Sequence, residues 1–98
     1  MDVYEIILKR SAIADLDALR KYDATHIADA MERHLEHDPT KESKSRIKRL
    51  RGVSNPDYRL RVGDYRVFYV VDEDARRIEV LRVMHKDHTL PYYKELKR

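Results

Sequence analysis

Cysteine is missing from this chain of 98 residues. Its absence rules out a disulfide framework and any thiolate metal site, and it fits a reducing cytosol. Glycine occurs only twice, at Gly52 and Gly63, so glycine-rich loops that cradle nucleotide phosphates are excluded. No apolar run approaches the roughly 20 residues of a membrane span, and the opening MDVYEIILKR lacks the basic-then-apolar order of a signal peptide. Gly-x-Ser-x-Gly and Cys–His arrangements for acyl chemistry, internal repeats and low-complexity segments are also absent. What remains as the expectation is a soluble cytoplasmic protein with no membrane partner. A hydrophobic content of 42% is enough for one modest core and one domain over residues 1–98.

The formal net charge is only +3, but its distribution is uneven. Between Lys41 and Arg66 stand nine Lys or Arg against three acids, Glu42, Asp57 and Asp64, so the remainder of the chain is net acidic. A block of this kind suits a polyanion or an acidic protein partner, although a solvated basic loop has the same composition.

VYEIIL at 3–8 is short, apolar and partly β-branched, which predicts a first strand. In the next stretch Ser11 can cap a helix whose buried stripe is Ala12, Ile13, Leu16 and Leu19. Asp23 or Thr25 opens a second helix with Ile27, Met31 and Leu35 inward, and Asp38-Pro39 stops it. The short link predicts an antiparallel helical hairpin. Lys41 to Asp57 reads as a polar, basic connection anchored by Ile47 and Leu50. Strands follow at 58–62, 65–71 and 77–84, and LPYYKEL suits a short tail helix. The expected fold is α+β in the order β-α-α-β-β-β, with the helical hairpin on one face of a mainly antiparallel sheet.

Alternation about the Gly63-Asp64 turn sets Tyr58, Leu60, Val62, Tyr65, Val67 and Tyr69 on the core face. Arg59, Arg61, Arg66 and Phe68 fall on the other, with Arg61 directly across from Arg66. Like charges opposite one another in a ladder are destabilising. A phosphate would relieve the clash, because each guanidinium offers a planar fork to its oxygens. Splaying into water, or pairing with Asp57, Asp64 or Glu79, would relieve it too. Metal-free RNA cleavage by the substrate's own 2′-OH needs a base, an acid and cations for the developing phosphorane charge. Arginine supplies only the last. The titratable candidates lie in HKDHTLPYY: His85, Lys86, Asp87, His88, Tyr92 and Tyr93. A tyrosine there would need its pKa lowered by neighbouring cations. The pairs His34/His37 and His85/His88 lack a convincing third ligand, so neither a metal nor a cofactor is expected.

KRLRG at 48–52, YRLRVGDYRVFYVVD at 58–72, IEVLRVMHK at 78–86 and a downstream tyrosine resemble the RelE/ParE superfamily of toxins from bacterial and archaeal type II toxin–antitoxin pairs. The resemblance covers nearly the whole chain and favours the RelE branch. That branch implies metal-independent, ribosome-dependent cutting of mRNA, with translation inhibited. Carried over by position, the catalytic set implied is Arg59, Arg61, Arg66, Lys86 and Tyr92, with His85 as a secondary acid/base. Lys48, Arg49, Arg51, Phe68 and Tyr93 would contact mRNA or the ribosome. The partners implied are the ribosome, mRNA and a short acidic antitoxin that wraps the toxin in a hetero-oligomer. Arginines stand on the first hairpin strand where the RelE pattern has lysines, so proton transfer would fall to Tyr92, His85, His88 or Lys86. Alternatives are a ParE-like inhibitor of DNA gyrase without nuclease chemistry, and a non-toxic homologue that binds antitoxin.

Overall fold

The structure, a computed structural model, describes residues 3–97. The chain runs β1 (Glu5–Leu8), α1 (Arg10–Asp17), α2 (Lys21–Leu35), β2 (Ile47–Arg49), β3 (Tyr58–Val62), β4 (Tyr65–Asp72), β5 (Arg77–His85), a 3-10 turn (Lys86–His88) and α3 (Thr89–Leu96). The five strands form one sheet in the order β1-β5-β4-β3-β2. Only the β1–β5 pair is parallel; the others are antiparallel. The α+β architecture expected from the sequence is therefore present, with one added strand. β2 escapes a pattern reading because three residues are too few to show alternation. Among the described residues no helix is long and apolar enough to cross a membrane.

The helical hairpin packs on one face of the sheet. Ile27, Met31 and Leu35 from α2 meet Leu60, Val67 and Val80 from the strands, and all six are buried. α1 departs from the expected stripe: Ala12 is fully buried but Ile13 is 46% exposed. α1 begins at Arg10 rather than behind a Ser11 cap, and Lys9 at the N-cap gives no side-chain hydrogen bond. α2 likewise begins before Asp23, which lies inside its first turn, where an acid favours the helix dipole.

β3 and β4 pair in the register set by the turn. Val62 faces Tyr65, Arg61 faces Arg66 and Arg59 faces Phe68. Gly63 opens the turn at φ +57°, a conformation glycine adopts without a Cβ clash. The β4–β5 ladder is irregular. Phe68 pairs with Arg82 and Tyr69 with Val80, so Leu81 is an extra residue in β5. This bulge reverses which face each later β5 side chain occupies. Arg82 and Met84 thereby join the arginine face, and His85 moves to the helical side with its partner Tyr65.

The bulge falls where β1 ends alongside Val80. Past that point the β5 edge is closed by α1. The Asp15 carboxylate accepts the backbone N–H of Val83 at 2.8 Å and a two-pronged contact from Arg82, at 2.7 Å from Nε and 3.0 Å from Nη2. A backbone donor that would otherwise invite another strand is satisfied within the chain.

Candidate nucleic-acid interface

Register places the functional candidates in two rows across the sheet's second face. One row is Lys48, Arg59, Phe68 and Arg82, from β2 to β5; the next is Arg61, Arg66 and Met84. Phe68 sits at the centre of the first row and is fully buried. α3 folds back over it. The Tyr92 ring meets Phe68 edge-on at 4.9 Å between centroids, and Tyr93 does so at 5.7 Å. The second face is therefore not wholly open. An aromatic cluster occupies its middle and the arginines form its border.

The three hairpin arginines are brought together. Burial, followed by the positive charges of Arg59 and Arg61, lowers the proton affinity of Arg66; Tyr93 and Asp64 oppose that effect. Arg66 remains charged, since guanidinium does not deprotonate in proteins. Its Nη1 donates to the carbonyls of Gly63 at 3.0 Å and Tyr65 at 2.9 Å, which fixes the guanidinium over the hairpin turn. Arg61 is exposed, and its guanidinium has no hydrogen-bond or ion-pair partner among the described residues. The Nε of Arg59 is buried and has no hydrogen-bond partner. Three cations that repel one another, with donors left over, make a surface suited to an anion with several acceptor oxygens.

Lys86 lies at the same end of the hairpin. Its backbone N–H donates to the Asp64 carbonyl at 2.7 Å, and its Nζ is 3.6 Å from the Asp64 carboxylate. Of the other basic candidates, Lys48 stands directly across from Arg59 on the same face. Arg49 points the other way: its guanidinium lies over the Tyr58 ring at 5.4 Å and donates to the Tyr58 hydroxyl at 3.1 Å. Arg51 is exposed in the connection that follows.

Three expectations are corrected here. Phe68 has no surface with which to touch RNA and acts as the floor on which α3 rests. His85 projects from the opposite face to Arg66. Its ring packs against Tyr65 at 5.6 Å, and its Nδ1 accepts the Asp87 N–H at 3.1 Å, capping the 3-10 turn. It is a strand-end residue and is not poised at the arginines. Tyr92 is no phenol with a lowered pKa: burial pushes its pKa up, opposed by the Arg82 guanidinium 5.8 Å from its ring. Among the described residues, no three His, Cys, Asp or Glu side chains gather as metal ligands.

Neither the position of Asp15 nor the role of Arg82 shows in the residue pattern. Together they tie α1 to β5 and then, through Tyr92, to α3. Asp15 holds the Arg82 proton more firmly than usual. An aspartate on a helix facing solvent in a periodicity plot looks like any other surface acid; only the bulge and the end of β1 give it this position.

With this fold and an arginine-lined sheet face in view, known proteins give a consistent match. Residues 6–90 fit the family described as the ParE toxin of type II toxin–antitoxin systems, parDE, and the chain belongs to that family within the RelE/ParE superfamily. It also aligns with a chain of the toxin–antitoxin complex RelBE2 from Mycobacterium tuberculosis at 25% identity and a TM-score of 0.74, over 87% of this chain and 93% of that one. A chain of the archaeal RelE–RelB complex from Pyrococcus horikoshii OT3 aligns at 27% identity and a TM-score of 0.70, over 90% and 99%. A mutant of the E. coli toxin RelE in the free state shares the fold at 23% identity and a TM-score of 0.70, over 96% and 94%. No curated protein matches the sequence closely enough to count as a relative.

Proposed function

We propose that the chain is a toxin that cuts mRNA on the ribosome and so arrests translation, acting in the cytoplasm without a metal or cofactor. The observation that carries this reading is the Arg61–Arg66 pair, with Arg59 close enough to act on Arg66 electrostatically. In this reading the three arginines hold the scissile phosphate. The 2′-oxygen attacks the adjacent phosphorus, the bond to the 5′-oxygen breaks, and the products are a 2′,3′-cyclic phosphate and a 5′-hydroxyl. Charge on the phosphorane oxygens rises during the step, and preorganised cations lower its energy. Lys86, held at the hairpin turn, donates the proton to the leaving oxygen, and solvent or a ribosomal group accepts the 2′-OH proton. With His85 on the other face and Tyr92 half-buried against Phe68, its pKa raised, the toxin supplies charge and position more than a base. Dependence on the ribosome follows, because alignment of the 2′-oxygen for in-line attack is then the main remaining contribution. The RelE–RelB complexes among its structural relatives support an antitoxin as partner, and an acidic one suits the arginine face.

A second reading is a gyrase inhibitor that binds without chemistry. The ParE description of the family favours it, as does the raised pKa of Tyr92, which makes that phenol a poor general base. Mapping mRNA ends on stalled ribosomes with purified toxin decides between them. The nuclease reading expects new 5′ ends that vanish with Arg61→Ala plus Arg66→Ala. Intact mRNA at growth-arresting toxin levels, with DNA supercoiling defects, would overturn it in favour of gyrase.

A further inference from the structure

The sheet treats its two edges differently. Along β2 the Arg49 N–H donates to the Glu42 carboxylate at 2.9 Å, and the Ile47 carbonyl accepts from the Ser43 N–H at 3.0 Å. Asp15 closes β5 where that strand runs on past β1. β1 is the other edge. Glu5 and Lys9 face β5, donating their N–H groups to the Arg76 and Val80 carbonyls, both at 2.9 Å. Tyr4 faces outward, and its N–H donates to the Glu36 carbonyl at 2.8 Å. By alternation along the strand, Ile6 and Leu8 also direct their N–H and C=O groups outward. Among the described residues no backbone hydrogen bond reaches those groups. The side chains of Ile6, Ile7 and Leu8 are only partly buried.

We propose that the β1 edge pairs with the same edge of a second copy of this chain, antiparallel about a two-fold axis through Ile7. Elimination fixes the register. Centring the pair on Ile6 sets Leu8 against Tyr4, whose N–H is already taken by Glu36. Centring it on Leu8 sets Ile6 against Arg10, the first residue of α1. Centred on Ile7, Ile6 of each copy exchanges both hydrogen bonds with Leu8 of the other, and every outward group of the two residues is paired. The same register sets Glu5 of each copy opposite Lys9 of the other. Both side chains are exposed, and opposite charges facing one another across a ladder attract. Charge on an edge strand ordinarily prevents pairing, as two lysines here would. An acid and a base placed symmetrically about Ile7 instead make the edge complementary to itself, which a two-fold contact requires. Any extended peptide could use the open hydrogen bonds, but the Glu5/Lys9 symmetry is particular to self-pairing. The axis stands normal to the sheet, so both arginine faces look the same way, their β4 strands roughly 24 Å apart at about 4.8 Å per strand. The pairing does not depend on what the arginine face binds. So short an edge falls below the roughly 20–30 residues a side of a stable interface, so the dimer is weak.

The test is sedimentation of the full chain from micromolar to millimolar concentration, with amide hydrogen exchange read at Ile6, Ile7 and Leu8. The chain is expected to be monomeric at the low end and dimeric at the high end. Exchange at Ile6 and Leu8 should slow as the dimer forms, while Ile7, which faces β5, should not change. Glu5→Lys and Lys9→Glu should each weaken dimerisation about tenfold or more, because each turns both attractive pairs into repulsive ones. An equimolar mixture of the two variants should restore it, since every Glu5/Lys9 contact between unlike chains is again attractive. So should both reversals made in one chain. The buried Leu60 methyl signals report whether each variant is folded. A dimer indifferent to both reversals, or one in which Ile6 and Leu8 still exchange freely, would overturn the proposal. A chain that stays monomeric throughout would do the same, and protection of those two amides by added antitoxin alone would then assign the edge to the antitoxin.

Discussion

The two faces of the sheet are made from the same strands under opposite rules. On the helical face, Leu60, Val67, Tyr69 and Val80 are fully buried beneath α2 and its neighbours. Tyr69 brings a hydroxyl into this layer, and the Pro39 carbonyl accepts from it at 2.6 Å. On the other face an aromatic patch around Phe68 gives way to arginines that repel one another and leave donors unmet. The first arrangement maximises burial and satisfaction. The second gives up stability, roughly 0.2–1 kcal/mol for a like-charged cross-strand pair, to hold charge in a fixed place.

Leu60 and Arg61 are adjacent on β3 and point to opposite faces, so they separate the two rules most sharply. The largest expected effect is on the arginine side. Replacing Arg61 and Arg66 by alanine should lower mRNA cleavage by on the order of 10²–10³ or more, the scale seen when a charge-stabilising donor is lost. Urea denaturation of the same variant should show equal or slightly greater stability, because the repulsion is gone. Unfolding would instead show that the arginines are structural. Leu60→Ala should do the reverse: about 2–5 kcal/mol of stability lost in urea, with cleavage by the remaining folded protein retained.

Much of this contrast was legible in the sequence. The hairpin register follows from strict alternation on both sides of Gly63-Asp64, so the meeting of Arg61 and Arg66 needed no structure. Helix α2 announced itself through Ile27, Met31 and Leu35. The strand at 77–84 and the tail helix were legible too, but not which face each side chain downstream of Leu81 occupies. Counting back from the 73–76 turn without a bulge puts Arg82 in the core opposite Val67 and leaves His85 beside the arginines. One inserted residue exchanges them. The docking of α3 was hidden for a related reason. Tyr92 and Tyr93 could serve substrate or packing equally well until Phe68 appeared beneath them. Arginine clusters are visible locally, whereas proton-transfer partners depend on non-local register.

The link from α1 to α3 sharpens the comparison at intermediate size. Asp15→Ala removes the acceptor for Val83 and for the Arg82 fork. Hydrogen bonds to charged groups are worth roughly 1.5–3 kcal/mol, but the Arg82 side chain stays 39% exposed and solvent screens the pair. A loss of about 1 kcal/mol is expected in urea, with faster amide exchange in α3. At Tyr92, alanine should release α3 from Phe68, while phenylalanine should change both stability and cleavage little. A large cleavage defect in Tyr92→Phe with α3 still docked would restore the hydroxyl as a chemical group and contradict the packing role.

The smallest effect tests whether cationic repulsion belongs to the arginine face alone. His34, on the outer side of α2, has its pKa lowered by burial, then by Arg46 and Arg33. Asp38, Lys41 and Glu42 line the same cavity. Because the folded state binds this proton less tightly than the unfolded chain, stability should fall as pH drops through the unfolded value near 6.5 toward the lower folded one. His34→Gln should flatten the slope in that window by a few tenths of a kcal/mol, the size of an ordinary surface change. The arginine face should contribute nothing to the slope, since its charges do not titrate there, but its repulsion should weaken with added salt. Urea midpoints on a grid of pH and salt therefore separate the two. A pH slope unchanged by His34→Gln would remove His34 as its source, and a salt gain unchanged by the double arginine variant would remove the arginine repulsion as its source.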